Sequence, residues 1–209
     1  MNVLKFYRII VAALFLCVFS NVSSANPRVV FMGDSITKGW GSRMPSFFSD
    51  NNFLCKGISG QTTGDMLTRY KADVIDNHPE VVVILAGTND IAQNDKVPVT
   101  VEQISSNIFL MAEMAKEQGI KVVLCSLLPS SSYSWKPAII PTDIIPQLNT
   151  VIEEWAANND CAFVDYYSLF VQADGSLDPK FTNDDVHPYK EGYYIMEQAI
   201  MPILESMLK

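Results

Sequence analysis

Five short apolar runs recur along the chain, and segments with a helical spacing of apolar residues separate them. The runs are rich in β-branched residues and do not alternate with polar positions, which is typical of strands covered on both faces in a parallel sheet. They lie at residues 28–32, 53–56, 81–85, 121–125 and 161–164. The pattern therefore predicts five parallel strands.

The segments between the runs predict amphipathic helices, because their apolar residues recur three or four positions apart. Such spacing occurs at 66–75, 101–115 and 148–155, and a last helix is predicted over 189–207. Thr100 and Gln103 have the spacing of a capping box, and Pro202 is expected to kink or break the last helix. Strands that alternate with helices predict a doubly wound α/β domain with right-handed crossovers.

The first 25 residues have the pattern of a secretory signal peptide. Lys5 and Arg8 precede an apolar run over 9–19, and small residues follow that run. This order of charged start, apolar middle and small-residue exit predicts cleavage, which leaves a mature domain over 26–209. We therefore expect a secreted or periplasmic protein without stable membrane insertion after cleavage.

Two alternatives for the same segment are less favoured. An uncleaved anchor would need a longer apolar run to span a bilayer comfortably. A lipoprotein attached through Cys17 would need small residues before that cysteine, where the sequence has Phe15 and Leu16.

The composition is that of a globular protein with an acidic surface. The chain has 209 residues, of which 48% are apolar and 18% charged, and its net charge of −8 becomes −10 without Lys5 and Arg8. Such a surface disfavours nucleic acids and anionic membranes as partners. Oligomeric state does not follow from the sequence.

The mature domain has three cysteines, Cys55, Cys125 and Cys161, each in or beside a predicted strand. We interpret them as buried thiols, because an odd number cannot all pair within one chain. A single disulfide between two of them remains the alternative in an oxidising compartment.

Polar or glycine-bearing segments follow the predicted strands, where parallel α/β sheets place their active sites. The first three strands are followed by Gly33-Asp34-Ser35, by Gly57-Ile58-Ser59-Gly60-Gln61 and by Gly87-Thr88-Asn89-Asp90, and Asp184-Asp185-Val186-His187-Pro188 precedes the last helix. If the topology is as predicted, these four segments meet at one edge of the sheet.

Together these segments resemble the SGNH (GDSL-type) hydrolase family, in the block order of that family and across the whole mature chain. Ser35 matches the position of the nucleophile, Gly60 the glycine of the second block and Asn89 the asparagine of the third. Asp184 and His187 match the D-x-x-H of the last block. The resemblance implies a flavodoxin-like three-layer α/β/α sandwich with a five-stranded parallel sheet.

The residue chemistry agrees with a serine hydrolase. A serine hydroxyl needs a base, and His187 is the natural one since an imidazole titrates near neutral pH. The only other histidine, His78, precedes a strand and is expected to lie on a surface loop. We favour Asp184 over the adjacent Asp185 as the partner of His187, a preference that rests mainly on the family spacing, and expect a solvated turn at Asp185.

Ester hydrolysis also requires donors for the negative charge on the carbonyl oxygen. We expect the backbone N–H groups of Ser35 and Gly60 and the side-chain amide of Asn89 to supply them. Alone, Gly60 could be an ordinary turn glycine and Asn89 a helix cap, but their presence beside Ser35 and His187 favours an oxyanion hole.

The remaining motifs exclude other chemistries. Two distant histidines and scattered cysteines do not form a metal site, and no phosphate loop or dinucleotide fingerprint follows the first strand. We therefore expect no metal and no cofactor. Asp34 and Asp90 are expected to bind loop backbone, and Trp40 and Phe47 to pack in the core.

The sequence carries the least information about which ester is the substrate. Tyr133 and Trp135 lie in the segment 128–141 after the fourth strand, where they could contact substrate or pack the segment on the domain. Secreted family members of this compact kind imply a carbohydrate O-acetylesterase acting on a small-molecule or glycan ester. A lysophospholipase or thioesterase-like acylhydrolase is the alternative. A binding module without catalysis is disfavoured, because both nucleophile and base are present.

Overall fold

Five parallel strands form one sheet in the order β2-β1-β3-β4-β5 in the computed structural model, which describes residues 26–209. They are β1 (Val29–Gly33), β2 (Phe53–Gly57), β3 (Val81–Leu85), β4 (Lys121–Cys125) and β5 (Ala162–Val164). Each boundary lies within one residue of its predicted position, and the order is that of flavodoxin-like sheets. The predicted fold class is confirmed. The predicted signal peptide lies outside the described residues.

Helices cover both faces of the sheet. They are α1 (Ser35–Arg43), α2 (Pro45–Asp50), α3 (Thr63–Asp73), α4 (Thr88–Ile91), α5 (Val101–Glu117), α6 (Ile144–Asn158), α7 (Tyr167–Phe170) and α8 (Lys190–Met207). Helices α3, α5 and α6 pack side by side on one face, whereas α1 contacts α2 and α8 on the other. The short helices α2, α4 and α7 were not predicted, because four to six residues are too few to show a helical period. Helix α1 was not predicted either, since Ile36 and Trp40 are its only large apolar residues.

The core explains why the strands show no alternation. Every residue of β1 and β3 is buried, since each strand has a helical layer above and below it. On the α1 face, Trp40 stacks on Phe47 with ring centroids 5.1 Å apart and on Tyr193 at 5.9 Å. The expected packing roles of Trp40 and Phe47 are confirmed.

The helix ends follow from local sequence, with one exception. Thr100 and Gln103 form the predicted reciprocal capping box at the start of α5. Helix α8, however, continues through Pro202 to Met207, so the expected break is wrong. An internal proline costs about 3 kcal/mol, whereas fully burying a large apolar side chain contributes about 1.5–3 kcal/mol. The three buried residues Met196, Ile200 and Leu204 therefore outweigh the lost hydrogen bond.

The cysteines of the described residues are free thiols, with Cys125 buried and Cys55 and Cys161 half-buried. Burial raises the pKa of the thiol in all three. Within residues 26–209, none of the helices has the length and apolar character needed to cross a bilayer.

Candidate active site

The carboxyl ends of β1, β2 and β3 border one cavity of about 300 Å³. Residues from five separate chain segments line it: Ser35, Ser59, Gly60, Thr88, Asn89, Asn94, Trp135, Val186 and His187. All of the predicted nucleophile, base and oxyanion-hole residues therefore lie at the same edge of the sheet.

Ser35 is the first residue of α1, and the preceding Asp34 caps that helix. The Asp34 Oδ1 atom accepts a hydrogen bond from the N–H of Ile36 at 2.9 Å. This cap turns the chain sharply from β1 into α1 and leaves Ser35 half-buried at the cavity. The Ser35 hydroxyl oxygen lies 2.7 Å from Nε2 of His187.

His187 is held by Asp184 through both its ring and its backbone. The ring atom Nδ1 lies 2.7 Å from Asp184 Oδ2, and the N–H of His187 donates to Asp184 Oδ1 at 2.8 Å. A carboxylate only accepts, so these partners place the proton on Nδ1 and leave Nε2 free to accept from Ser35. The structure thus connects the hydroxyl, the imidazole and the carboxylate in one chain of hydrogen bonds.

The environment keeps Asp184 ionised. Partial burial would raise the pKa of Asp184, but the hydrogen bonds from His187 and from the N–H of Val186 outweigh it and hold the pKa below its ordinary value. An ionised carboxylate can orient an imidazole and stabilise the positive charge that the ring acquires as a base.

Asp185 has a role that differs from the expected solvated turn. Its Oδ2 accepts hydrogen bonds from the N–H of Ser131 at 2.6 Å, the hydroxyl of Ser131 at 2.7 Å and the N–H of Ser132 at 3.2 Å. Its Oδ1 accepts from the N–H of Leu177 at 2.7 Å. Asp185 therefore faces away from His187 and fastens two other loops. No local pattern indicated this, because Ser131 lies 54 residues away in the sequence.

Gly60 has a backbone conformation that favours glycine, with φ at +81°. No protein atom lies within 4 Å of the position that a Cβ would occupy there. The protein itself therefore requires glycine for the turn rather than for space. Within residues 26–209, the N–H groups of Gly60 and Ser35 donate to no backbone carbonyl.

Asn89 is buried beside these N–H groups, on the short helix α4. Gly87, with φ at +125°, turns the chain from β3 into that helix. The Asn89 Nδ2 atom donates to Asp34 Oδ2 at 3.2 Å and to the carbonyl of Gln61 at 3.1 Å. Both bonds are at the long end of the range for N–H···O contacts, so a charged oxygen in the cavity would compete well for one of them.

Two buried carboxyls, those of Asp34 and Asp90, form hydrogen bonds with the loops next to the cavity. Burial raises the pKa of Asp34 to about 6 and that of Asp90 to about 6. Asp90 accepts hydrogen bonds from the N–H of Thr63 at 2.9 Å and its hydroxyl at 2.6 Å, which ties the start of α3 to α4. Asp34 binds backbone as expected, and it also binds the side chain of Asn89.

The two aromatic residues predicted as substrate contacts lie differently. Tyr133 is fully buried, with its ring centroid 5.1 Å from that of Trp135. Trp135 is 39% exposed and borders the cavity, and its Nε1 donates to Asn94 Oδ1 at 3.1 Å. Tyr133 thus packs against Trp135 from the interior of the protein. Asn94 was missed, since an asparagine five residues after a motif has no sequence signature of its own.

Comparison with known proteins identifies relatives of this chain. The sequence model of the GDSL-like lipase/acylhydrolase family matches residues 31–195. The crystal structure of a GDSL-like lipase from Bacteroides thetaiotaomicron superposes with a TM-score of 0.84 at 43% identity, covering 87% of this chain and 89% of that one.

Three curated relatives share lower identity. An arylesterase of Vibrio mimicus is 29% identical over 68% of this chain and 74% of its own length. An acetylxylan esterase of Geobacillus stearothermophilus is 26% identical over 70% of this chain and 68% of its own. An uncharacterized lipoprotein of Bacillus subtilis, YqeF, is 32% identical, and that match spans about half of each chain, 48% in both cases.

Proposed function

Because the chain belongs to the GDSL-like lipase/acylhydrolase family, and is therefore a carboxylic ester hydrolase, we propose that it cleaves short-chain acyl esters of carbohydrates with Ser35 as nucleophile. The observation that carries the proposal is the continuous chain of hydrogen bonds from Ser35 through His187 to Asp184. A hydroxyl, an imidazole and a carboxylate in this order form the constellation of a serine hydrolase.

The geometry supports a two-step reaction. The Ser35 hydroxyl oxygen attacks the ester carbonyl carbon as its proton passes to Nε2 of His187, and Asp184 stabilises the imidazolium. The tetrahedral intermediate then expels the alcohol, which takes the proton from His187, and leaves an acyl group on Ser35. A water molecule then attacks the acyl carbon as His187 takes its proton. The bond from that carbon to the Ser35 oxygen breaks, the Ser35 oxygen takes the proton back from His187, and the carboxylic acid leaves.

Three donors surround the place where the negative charge develops. They are the N–H groups of Ser35 and Gly60 and the Nδ2 amide of Asn89. One such donor typically contributes about 3 kcal/mol of transition-state stabilisation. The N-terminus of α1 adds a favourable helix dipole at the same point, because Ser35 is its first residue.

The cavity favours a small acyl group on a polar alcohol. Its volume of about 300 Å³ is at the lower limit for ligand pockets. Asparagine, serine and threonine side chains line it together with Val186 and the ring of Trp135. Trp135 offers an exposed ring on which a sugar can stack. The acetylxylan esterase among the relatives agrees with this substrate class. The predicted signal peptide supports action outside the cytoplasm, in the periplasm or beyond.

The decisive experiment replaces Ser35 by alanine and measures hydrolysis of p-nitrophenyl acetate. We expect kcat to fall by about 10³-fold or more, since other serine hydrolases lose up to about 10⁶-fold without the nucleophile. Ser42→Ala is the matched control, because Ser42 lies exposed on the same helix. Undiminished turnover by a folded Ser35→Ala protein would exclude the serine mechanism.

The substrate class is tested separately with the unmodified protein. Acetate release from acetylated xylan and acetylated pectin fragments is compared with fatty-acid release from a lysophospholipid, and p-nitrophenyl acetate with the octanoate ester. Faster cleavage of acetyl esters, with acetate released from a glycan, is the expected result. Preference for the octanoate and release from the lipid alone would instead identify a lysophospholipase or thioesterase-like acylhydrolase.

A further inference from the structure

One side chain contacts the loops that carry two of the three proposed oxyanion-hole donors, although it lies outside the motifs that indicated the site in the sequence. Asn94 follows α4 and is half-buried. Its Nδ2 donates to Asn89 Oδ1 at 2.7 Å and to the carbonyl oxygen of Gly60 at 3.3 Å. Its Oδ1 accepts from the indole N–H of Trp135 at 3.1 Å. It thus connects the segments that follow β2, β3 and β4.

We propose that Asn94 is a positioning residue that fixes the amide of Asn89 with its nitrogen directed toward the oxyanion and its oxygen directed away. This inference rests on the proposed function, because it assumes that the Asn89 nitrogen stabilises the oxyanion. Asn94 itself acts through Asn89 and Gly60.

The partners of Asn94 determine its own orientation without ambiguity. An indole N–H can only donate and a backbone carbonyl can only accept. The oxygen of Asn94 must therefore face Trp135, and its nitrogen must face Gly60. The second hydrogen on that nitrogen is then directed at Asn89.

The orientation of Asn89 follows from that of Asn94. A donor faces Asn89 from one side, so the oxygen of its amide must lie there. Its nitrogen then lies toward Asp34 and Gln61, which both present acceptors. The bond from Asn94 is 2.7 Å long, whereas those to Asp34 and Gln61 are 3.2 and 3.1 Å. Asn94 thus provides the shortest of the three restraints.

The same contact restrains Gly60. The peptide after Gly60 carries the carbonyl that Asn94 binds, and Gly60, which has a positive φ, lines the cavity. An oxyanion hole works only when its donors are already in place before charge develops. A residue that holds two donors from different loops should therefore affect the chemical step more than substrate binding.

The test measures kcat and KM for p-nitrophenyl acetate in Asn94→Ala and Asn94→Asp. We expect kcat to fall about 10-fold in Asn94→Ala with KM nearly unchanged, since removing a whole donor costs about 10²–10³-fold. Asn94→Asp should lose more, about 100-fold, because a carboxylate cannot donate to Asn89 and brings negative charge near the oxyanion.

Asn77→Ala is the matched control. The Asn77 amide also donates two hydrogen bonds, to the carbonyls of Ala72 and Asp73, but it lies before β3 at the opposite edge of the sheet. We expect its kcat to stay within about twofold of the unmodified protein, because surface changes away from the site act weakly. Thermal unfolding of each variant verifies that its fold is intact.

A double-mutant cycle with Asn89→Ala separates positioning from an independent effect. If Asn94 acts mainly through Asn89, adding Asn94→Ala to Asn89→Ala should lower kcat by less than about twofold. An equal loss in both backgrounds, an unchanged kcat in Asn94→Ala, or a change confined to KM would each overturn the inference.

Trp135→Phe examines the same connection without altering Asn94. It keeps an aromatic ring at the cavity but removes the indole N–H, so kcat should fall by about threefold as Asn94 gains freedom to rotate. This variant replaces Asn94→Ala if the latter does not fold, and a kcat equal to that of the unmodified protein would then count against the inference.

The outcome of Ser35→Ala distinguishes the two proposals. If Ser35→Ala retains turnover, the proposed function fails and the role of Asn94 fails with it. If Ser35→Ala is inactive but Asn94→Ala keeps full kcat, only the role of Asn94 is overturned.

Discussion

The two edges of the sheet use charged side chains in opposite ways. At the amino edge, Arg28 and Glu80 form an ion pair at 3.0 Å with about half of each side chain exposed. At the carboxyl edge, Asp34 and Asp90 are buried, and Asp184 and Asp185 are half-buried. These four carboxyls bind backbone N–H groups and neutral side chains more than they bind cations.

The difference between the two edges shows what hydrogen-bonded carboxyls do that exposed ion pairs do not. Solvated ion pairs at the amino edge contribute little and restrict little, since water and salt screen them. Carboxyls that accept several hydrogen bonds fix loop conformations and side-chain orientations at the same time. Within residues 26–209, the fully buried carboxyls, Asp34 and Asp90, both lie at the edge that borders the cavity.

Among substitutions at the two edges, Asp184→Asn should have the largest effect on kcat. An asparagine amide would present a hydrogen to Nδ1 of His187 and favour the tautomer in which Nε2 cannot accept from Ser35. We expect kcat for p-nitrophenyl acetate to fall by about 10³–10⁴-fold, as for the corresponding change in another serine enzyme. Asp174→Asn is the control, because Asp174 is an exposed loop aspartate that also caps a local N–H. A loss below tenfold would contradict a role for Asp184 beside His187.

Asp185→Asn should have a smaller effect, and mainly on stability. An amide has one acceptor atom, so it cannot serve both the Ser131 donors and the N–H of Leu177. We expect the free energy of unfolding to fall by about 1–3 kcal/mol, measured by urea denaturation. Asparagine tolerates the φ of +63° at this position, so backbone strain does not obscure the result. An unchanged urea midpoint would show that these contacts do not hold the loops.

The smallest effect is expected for Arg28→Ala at the amino edge. Its ion pair with Glu80 is exposed, although the guanidinium also donates to the carbonyl of Leu208 at 2.8 Å. We expect the free energy of unfolding to change by less than about 1 kcal/mol and kcat to stay the same. A large loss of activity here would mean that the two edges are coupled.

The sequence was sufficient for the elements whose signals are local. The strand runs, the capping box of Thr100 and Gln103, and the packing of Trp40 all follow from residues close together in the chain. The chemical motif at 184–187 also has a fixed short spacing, and the structure connects it to Ser35. The roles of these residues in catalysis stay predictions.

The sequence could not predict contacts between side chains that the paths of loops bring together. Asp185 meets Ser131 across 54 residues, and Trp135 meets Asn94 across 41. Neither pair has a periodicity or a motif, because the backbone between them sets the distance. Asp184 and Asp185 are adjacent and have the same side chain, so the sequence alone does not distinguish them. They differ in the fold, where Asp184 binds His187 and Asp185 binds Ser131.

The attachment of Ser131 and Ser132 to Asp185 has a consequence for protein engineering. The segment that carries Trp135 is anchored at its start by a carboxylate beside His187 and Asp184, so it can be grafted from a homologue as a unit. A chimera that keeps serine at position 131 retains the anchor while the residues beyond it diversify. Libraries aimed at new ester preferences should therefore vary the tip of this segment and leave its base intact.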